Sequence, residues 1–481
     1  MGATIGAAPP PLRCRPALDG CCVVDRDEES NFTRLDKVAS RQSTILVGKS
    51  WDMMDGKCVK VMLPEILAES TVRKVQETLP VILPRLEEIL QVFHAQIPEN
   101  RVELLQFFRP PNHRKRELHN IFWGTDSEED HKGNEVLSAA VEGFVANLNQ
   151  LGKLDRELKE LAIRHCSLDV RPHHYLFIAD DMADVMEGVL ASSITPETRS
   201  AWHMAMLHLA RALIEREEVL YKSALHRKGG WQGFREFVIV RRELETSRVS
   251  IFGLRPLDAY SVCVDFSPGQ FISVKFRTQR EDEAVPARSY VIISKPGDQV
   301  LRIAVKRNRS GGVATWLHTQ GRVGSNVLVS APFGNFTPSF LEQSIAEGGP
   351  SSAVLISAGI GVVQSLALFQ AMEARVALVA HVDKSPEVHA FRHAITDLAQ
   401  TCATKVDAHY TDSSGHPGKE YVAHLLELVG NNHQWYISGP IDFMKGISAW
   451  LRSEGSVPVE RIHLEVYGPE IGLGWSIDLP S

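Results

Sequence analysis

The chain has 481 residues, which at roughly 150 residues per domain accommodates about three domains. Hydrophobic residues make up 44%, charged residues 23% and aromatics 7%, values of a folded globular chain and not of a disordered, collagenous or disulfide-framed one. Lys and Arg number 52 against 59 Asp and Glu, and the formal net charge of −7 provides no overall basic field for nucleic acid or an anionic membrane.

Residues 1–60 hold Pro9, Pro10 and Pro11, mixed charges and no sustained periodicity, and are expected to form a flexible tail. Gly2 suits N-terminal myristoylation, but Gly6 stands where Ser or Thr is wanted; Cys21 and Cys22 keep lipidation open. The seven cysteines are scattered without a CxxC pair, which fits a reducing cytoplasm better than a disulfide framework or a zinc knuckle. From about Leu63 to Leu225 apolar residues recur three and four apart, so 61–227 is expected to be all-helical.

Lys228-Gly229-Gly230-Trp231 makes a junction, placing a linker over 228–235. Short β-branched or aromatic runs follow at Phe237–Val240, Arg248–Leu254, Phe271–Phe276, Tyr290–Ile293, Leu301–Val305 and Asn326–Ser330, separated by Pro-Gly turns. They predict an antiparallel β-barrel over 236–342. Over 350–481 strands alternate with helices, the pattern of an α/β domain with a parallel sheet. The long uncharged run from Gly348 to Met372 reads as a strand, a glycine turn and a helix, because Gly359-Ile360-Gly361 and Gln364 interrupt it, and no stable membrane span is expected.

Within the helical part, Leu154, Leu158, Leu161 and His165 share one helix stripe, and Trp202, Met206, Leu209, Leu213 and Glu217 share another. A carboxylate on an apolar stripe needs a partner inside the fold. One arrangement satisfies both: Glu217 and Tyr175 hydrogen-bond one nitrogen of His165, and the other binds a metal. An ordinary buried polar cluster is the alternative. In the second half, Arg288-Ser289-Tyr290 offers a cation and an aromatic ring of the kind flavin binding uses. The run from Leu301 to His318 adds a Gly-rich loop with Gly311 and Gly312 ahead of a helix. Gly359-Ile360-Gly361 follows an apolar strand and opens a helix, the setting of a phosphate-binding turn.

Taken in order, Arg164-His165-Cys166-Ser167-Leu168, Arg171-Pro172-His173-His174-Tyr175, Glu215-Arg216-Glu217 with Tyr221, and Gly229-Gly230-Trp231 resemble the globin half of flavohaemoglobins. Pro268-Gly269-Gln270-Phe271, Arg288-Ser289-Tyr290, Gly359-Ile360-Gly361, Ser438-Gly439-Pro440 and His463-Leu464-Glu465-Val466-Tyr467-Gly468-Pro469 resemble their ferredoxin-reductase-type module. The resemblance implies a multidomain chain: an all-α globin, an antiparallel β-barrel FAD domain, and an α/β parallel-sheet NAD(P)-binding domain. It implies haem b, FAD and NAD(P)H as cofactors. His165 would be the proximal iron ligand, Tyr175 and Glu217 its hydrogen-bond partners, and Phe107 or Phe108 the ring against the haem. Arg288, Ser289 and Tyr290 would hold FAD with Phe271 beside it, Gly311 and Gly312 would cradle phosphate, and Tyr467 would cover the flavin. Gly359, Gly361, Gly439 and Pro440 would line the NAD(P)H site, and Arg164 and Glu465 would lie where the domains meet.

The chain departs from the family pattern at several positions. The ligand-stabilising tyrosine falls on Leu90, or on Ile89 with a different gap, and the distal glutamine falls near Gly133, after an insertion containing His113-Arg114-Lys115-Arg116. Val291 stands where a flavin-bonding Ser or Thr is usual, Ala314 replaces a serine, Val363-Gln364 replaces Thr-Pro, and Ser438 replaces a cysteine. Each change removes or alters a contact worth about 0.5–1.5 kcal/mol.

By resemblance the activity is that of a nitric oxide dioxygenase, with electrons passing from NAD(P)H through FAD to haem and nitric oxide plus dioxygen becoming nitrate. The departures favour two rivals: a haem-based ligand-binding or sensor protein with a degenerate reductase module, or an NAD(P)H diaphorase with another acceptor. The partners expected are the small molecules NO, O2 and NAD(P)H, with no nucleic acid, in a cytoplasmic monomer or weak homodimer.

Overall fold

The computed structural model describes residues 42–47, 53–54, 57–100, 104, 130–258, 264–277, 286–307 and 312–466. Strands β1 (Gln42–Val47), β2 (Met53–Met54) and β3 (Lys57–Pro64) form a small antiparallel sheet. This differs from the tail expected over 1–60. Thr44, Ile45, Val47, Val59 and Val61 are β-branched and favour extended backbone, and pairing β1 with β3 satisfies backbone groups that neither segment satisfies alone. At the end of β3, the Pro64 carbonyl lies 3.0 Å from His208 Nδ1, tying the sheet to the helices.

Helices α1 (Glu69–Ile82), α2 (Leu86–Asn100), α3 (Asp130–Ala146), α4 (Asp155–Leu168), α5 (Pro172–Leu190) and α6 (Pro196–His226) make the all-helical part. Their apolar stripes meet in one core that includes Val75, Ile89, Phe93, Leu158, Trp202 and Leu213. The α4–α5 corner has clear local causes: Asp169 takes φ 65 and closes α4, and Pro172 opens α5, where a missing N–H costs nothing. The Thr195 side chain caps α6 by accepting from the Thr198 N–H at 3.3 Å. At 31 residues α6 spans about 46 Å, long enough to leave the helical core and enter the next one.

That next core is shared. Cys166, Tyr221 and Ala224 from α4 and α6 pack with Trp231, Phe237, Ile272 and Val274. Six strands, β4 (Phe234–Leu244), β5 (Val249–Pro256), β6 (Phe271–Lys275), β7 (Arg288–Val291), β8 (Leu301–Lys306) and β9 (Asn326–Ser330), form an antiparallel sheet in the order β7-β6-β9-β4-β5-β8. An isolated bridge between Ile292 and Ile303 brings the two outer strands together, as in a barrel. Helix α7 (Gly312–Thr319) follows β8, and α8 (Ser339–Ala346) follows β9.

The last part is a five-stranded parallel sheet of β10 (Ala353–Ala358), β11 (Val376–Asp383), β12 (Lys405–Tyr410), β13 (Gln434–Gly439) and β14 (Ile462–Val466). Helices α9 (Val362–Met372), α10 (Arg392–Cys402), α11 (Thr411–Ser414), α12 (Lys419–Val429) and α13 (Ile441–Ser453) connect the strands. The order β12-β11-β10-β13-β14 reverses direction between β10 and β13, which creates a crevice at the carboxyl ends of those two strands. The expected succession of all-α, antiparallel β and α/β is therefore observed. Among the described residues no helix is long and apolar enough to cross a membrane.

Candidate functional site

His165 lies three residues from the end of α4, Tyr175 in the first turn of α5, and Glu217 within α6; all three are buried. His165 Nδ1 is 2.5 Å from the Tyr175 hydroxyl and 3.1 Å from Glu217 Oε1, and the Tyr175 hydroxyl donates to that same carboxylate oxygen. A carboxylate can only accept, so the hydrogen-bond logic puts the imidazole proton on Nδ1 and the lone pair on Nε2. This is the tautomer a metal-binding histidine needs, with its outer nitrogen held by a carboxylate. Burial, and then the Glu217 charge, push the Tyr175 hydroxyl well above the usual phenol range, so it remains a donor. Among the described residues no group of three or more His, Cys, Asp or Glu side chains could hold a bare metal ion. A single histidine would suit iron whose remaining ligands come largely from a porphyrin.

Arg164, beside His165, meets charges from both later sheets. Burial pulls it down to about 9, Glu465 of β14 opposes that pull, and Arg288 of β7 adds to it. Burial pushes Glu465 up to about 8, Glu160 pushes it further, and Arg164 opposes. Glu160, one helical turn before Arg164, is pushed up to about 7, again by burial. The helix bearing His165, the Arg288 strand and the last strand of the parallel sheet thus converge on one patch of charge.

On β7, Arg288 and Tyr290 alternate with Ser289, so the cation and the ring share one face. The Tyr290 hydroxyl is buried with no hydrogen-bond partner among the described residues, and burial raises it above the usual phenol range. A buried hydroxyl left unmatched is costly, and a bound polar group is the simplest way to match it. Phe271 is buried opposite Val291, whose apolar side chain is itself buried at the position where the resemblance has Ser or Thr. Gly312 opens α7, and Ala314, two residues on, packs against the shared core.

Gly359 and Gly361 sit at the end of β10, and Gly439 with Pro440 at the end of β13, so both turns open on the crevice between those strands. Gly359 takes φ +53, and a Cβ on Gly361 would fall 2.6 Å from the Ser438 carbonyl, so only glycine fits where the two turns touch. Ser438 Oγ donates to the Gly361 carbonyl at 3.0 Å, making the serine a strut between them. A cavity beside Gly359 and Ile360 is lined by Arg248, Lys306, Asp383 and Lys384, three cations and one anion. Gln364 is turned away from this crevice: it is fully buried, and its amide donates at 3.0 Å to both the Gly269 and Phe336 carbonyls. It ties the start of α9 to the barrel.

Phe107, Phe108, Gly311 and Tyr467 lie outside the described residues. Leu90 is buried on α2 beside Ile89. Two features escaped the sequence reading. The rings of His381 and His389 lie 4.1 Å apart, tilted by 36°, near the end of β11, with His381 Nδ1 2.9 Å from Ser357 Oγ. Ser167 and Ser273 are fully buried and hydrogen-bonded to each other at 3.1 Å. Neither pairing has a local spacing that announces it.

A globin family model matches residues 115–213. A flavohemoprotein of Bacillus subtilis (strain 168) is 29% identical over 426 residues, covering 86% of this chain and all of the relative. Flavohemoprotein A of Dictyostelium discoideum is 26% identical over 417 residues, covering 84% of this chain and 98% of the relative. The flavohaemoglobin of Malassezia yamatoensis, solved with bound FAD and haem, shares the fold with a TM-score of 0.65 at 22% identity, over 84% of this chain and 100% of that one. With an all-helical part matched by the globin model, followed by an antiparallel and then a parallel sheet, the chain is similar over most of its length to flavohaemoproteins and shares the fold of a flavohaemoglobin, a globin followed by a reductase-like part.

Proposed function

We propose that the protein is an NAD(P)H-dependent nitric oxide dioxygenase that carries haem b and FAD. The observation that carries this reading is the convergence on Arg164: the residue beside His165 senses Arg288 from the flavin-type strand and Glu465 from the nucleotide-type sheet. The cofactors would supply the redox chemistry, a flavin joining the two-electron donor NAD(P)H to one-electron haem iron for the conversion of nitric oxide and dioxygen to nitrate.

The chain's own residues have definable tasks in this reading. His165 presents Nε2, and Glu217 and Tyr175 hold the ring and keep its proton on Nδ1. Arg288 supplies a positive charge, and the unmatched Tyr290 hydroxyl a donor, to the flavin cofactor. The Gly359–Gly361 turn offers backbone N–H groups to a phosphate, with Lys306 and Arg248 neutralising charge from the cavity wall. On this reading Leu90 lines the ligand side, Phe107 or Phe108 packs on the haem, Gly311 and Gly312 cradle flavin phosphate, and Tyr467 covers the flavin. The protein works as a cytoplasmic monomer or weak homodimer; the unpaired thiols of Cys166 and Cys402 support a reducing compartment.

The decisive experiment is nitric oxide consumption by the purified protein given NAD(P)H and oxygen. Sustained turnover with nitrate as product is expected. A protein that binds both cofactors yet consumes nitric oxide no faster than free haem would overturn the reading.

A further inference from the structure

Three serine hydroxyls form a continuous line from the Arg288 strand to the helix that bears His165. Ser289 Oγ lies 3.1 Å from Ser273 Oγ, its cross-strand neighbour on β6. Ser273 Oγ donates to Ser167 Oγ at 3.1 Å, and Ser167 Oγ donates to the Arg164 carbonyl at 2.8 Å. Ser273 is pinned from its other side, where its N–H donates to Ser330 Oγ at 2.9 Å. Ser167 and Ser273 are completely buried, and Ser289 closes the line at the exposed end.

The direction of the line follows from proton counting. A carbonyl only accepts, and each hydroxyl has one proton to give. Ser167 spends its proton on Arg164, Ser273 on Ser167, and Ser289 can then only donate to Ser273. The Ser273–Ser167 bond lies in the low-dielectric interior, where hydrogen bonds aligned head to tail strengthen one another. Around them lies the apolar seam of Cys166, Tyr221, Ala224, Trp231, Ile272 and Val274. Apolar contact is non-directional, so it buries the seam without setting how α4 is rotated or shifted against β6 and β7. The hydroxyl line is directional and sets both.

We infer that Ser273 is a positioning residue for electron exchange between the two redox centres: through Ser167 and Ser289 it holds the flavin-facing strand in register with the helix carrying His165. The inference rests on the dioxygenase reading for its redox meaning, and the tie itself is a property of the chain alone. Electron exchange falls steeply with separation, so a small slip along the seam slows it while leaving each centre intact.

Two measurements on the full-length protein test this, in Ser273→Ala, Ser167→Ala and the double variant. In the first, protein is mixed anaerobically with NADH under carbon monoxide, and flavin bleaching and the haem–carbon monoxide band are followed separately. Bleaching at the parent rate is expected, with the haem band appearing about 3- to 10-fold more slowly, the scale of one lost hydrogen bond, and the double variant matching the slower single one. A haem band at the parent rate in both single variants overturns the inference. The second is amide hydrogen exchange, which needs no cofactor: faster exchange in both 165–170 and 288–291 supports the tie, and a change confined to the barrel overturns it. A parent protein that binds no haem or no flavin defeats the functional reading and leaves the exchange result to decide the tie. Should Ser273→Ala fail to fold, Ser167→Ala answers the same question from the helical side.

Discussion

Glu217 Oε1 lies 3.1 Å from His165 Nδ1, with both side chains sealed from solvent, and the second oxygen of the same carboxylate has no hydrogen-bond partner among the described residues. The anion is therefore committed to one histidine and one tyrosine, and its charge reaches the imidazole undiluted by water. Replacing it by a neutral isostere keeps the shape and removes the charge. In Glu217→Gln we expect haem to be retained, the iron–histidine stretch of the ferrous protein to fall, and the reduction potential to rise, because a less basic imidazole stabilises ferric iron less. Resonance Raman and redox titration check this; an unchanged stretch would show that the carboxylate does not act on the iron ligand.

The Tyr290 hydroxyl separates flavin binding from stability. Buried without a partner among the described residues, it burdens the flavin-free fold, so Tyr290→Phe is expected to leave that form equally stable or about 1 kcal/mol more stable. The same change should weaken FAD binding about 5- to 10-fold by removing a donor. Thermal melts of the flavin-free protein and fluorescence titration with FAD measure the two effects. A loss of stability without a loss of affinity would mean the hydroxyl serves the fold and not the flavin.

Gln364 occupies a position where the family pattern has proline, and its two hydrogen bonds to Gly269 and Phe336 join the parallel sheet's first helix to the barrel. Cutting it to alanine leaves two carbonyls unmatched in a buried place, a cost of about 2–3 kcal/mol. We expect Gln364→Ala to lower the unfolding midpoint and to leave the affinity for NAD(P)H within about twofold, since the side chain faces away from the crevice. Denaturant unfolding and nucleotide titration, run side by side, decide whether the substitution is structural.

Glu160 and Glu465 sit at about 7 and about 8, against 4.5 for an ordinary glutamate. Between pH 4.5 and pH 8 the folded chain keeps protons that the unfolded chain has already released, so these two groups make stability fall as pH rises through that window. Both side chains are partly open to water, which screens the effect to about 1–2 kcal/mol. Glu160→Gln should be about 1 kcal/mol more stable than the parent near pH 8 and equal to it near pH 4. Parallel stability profiles for the two proteins from pH 5 to pH 8 would sink this account.

Sequence by itself determined whatever depends on neighbours along the chain. Helical spacing put His165 and Glu217 on buried stripes, β-branched runs between Pro-Gly turns marked the strands, and the glycines after apolar strands marked two turns whose backbone approach admits no Cβ. Each of these signals has a period or a spacing of a few residues, the range over which backbone sterics and burial act. Only the tertiary structure decided the rest. The β1–β3 pairing, the turn of Gln364 toward Gly269, the meeting of Arg164 with Arg288 and Glu465, and the line from Ser289 through Ser273 to Ser167 all join residues far apart in the chain. A serine inside a strand or helix looks the same in sequence whether it meets solvent or another hydroxyl; its partner is set by how the elements pack, because a buried hydroxyl must find a match wherever packing leaves it.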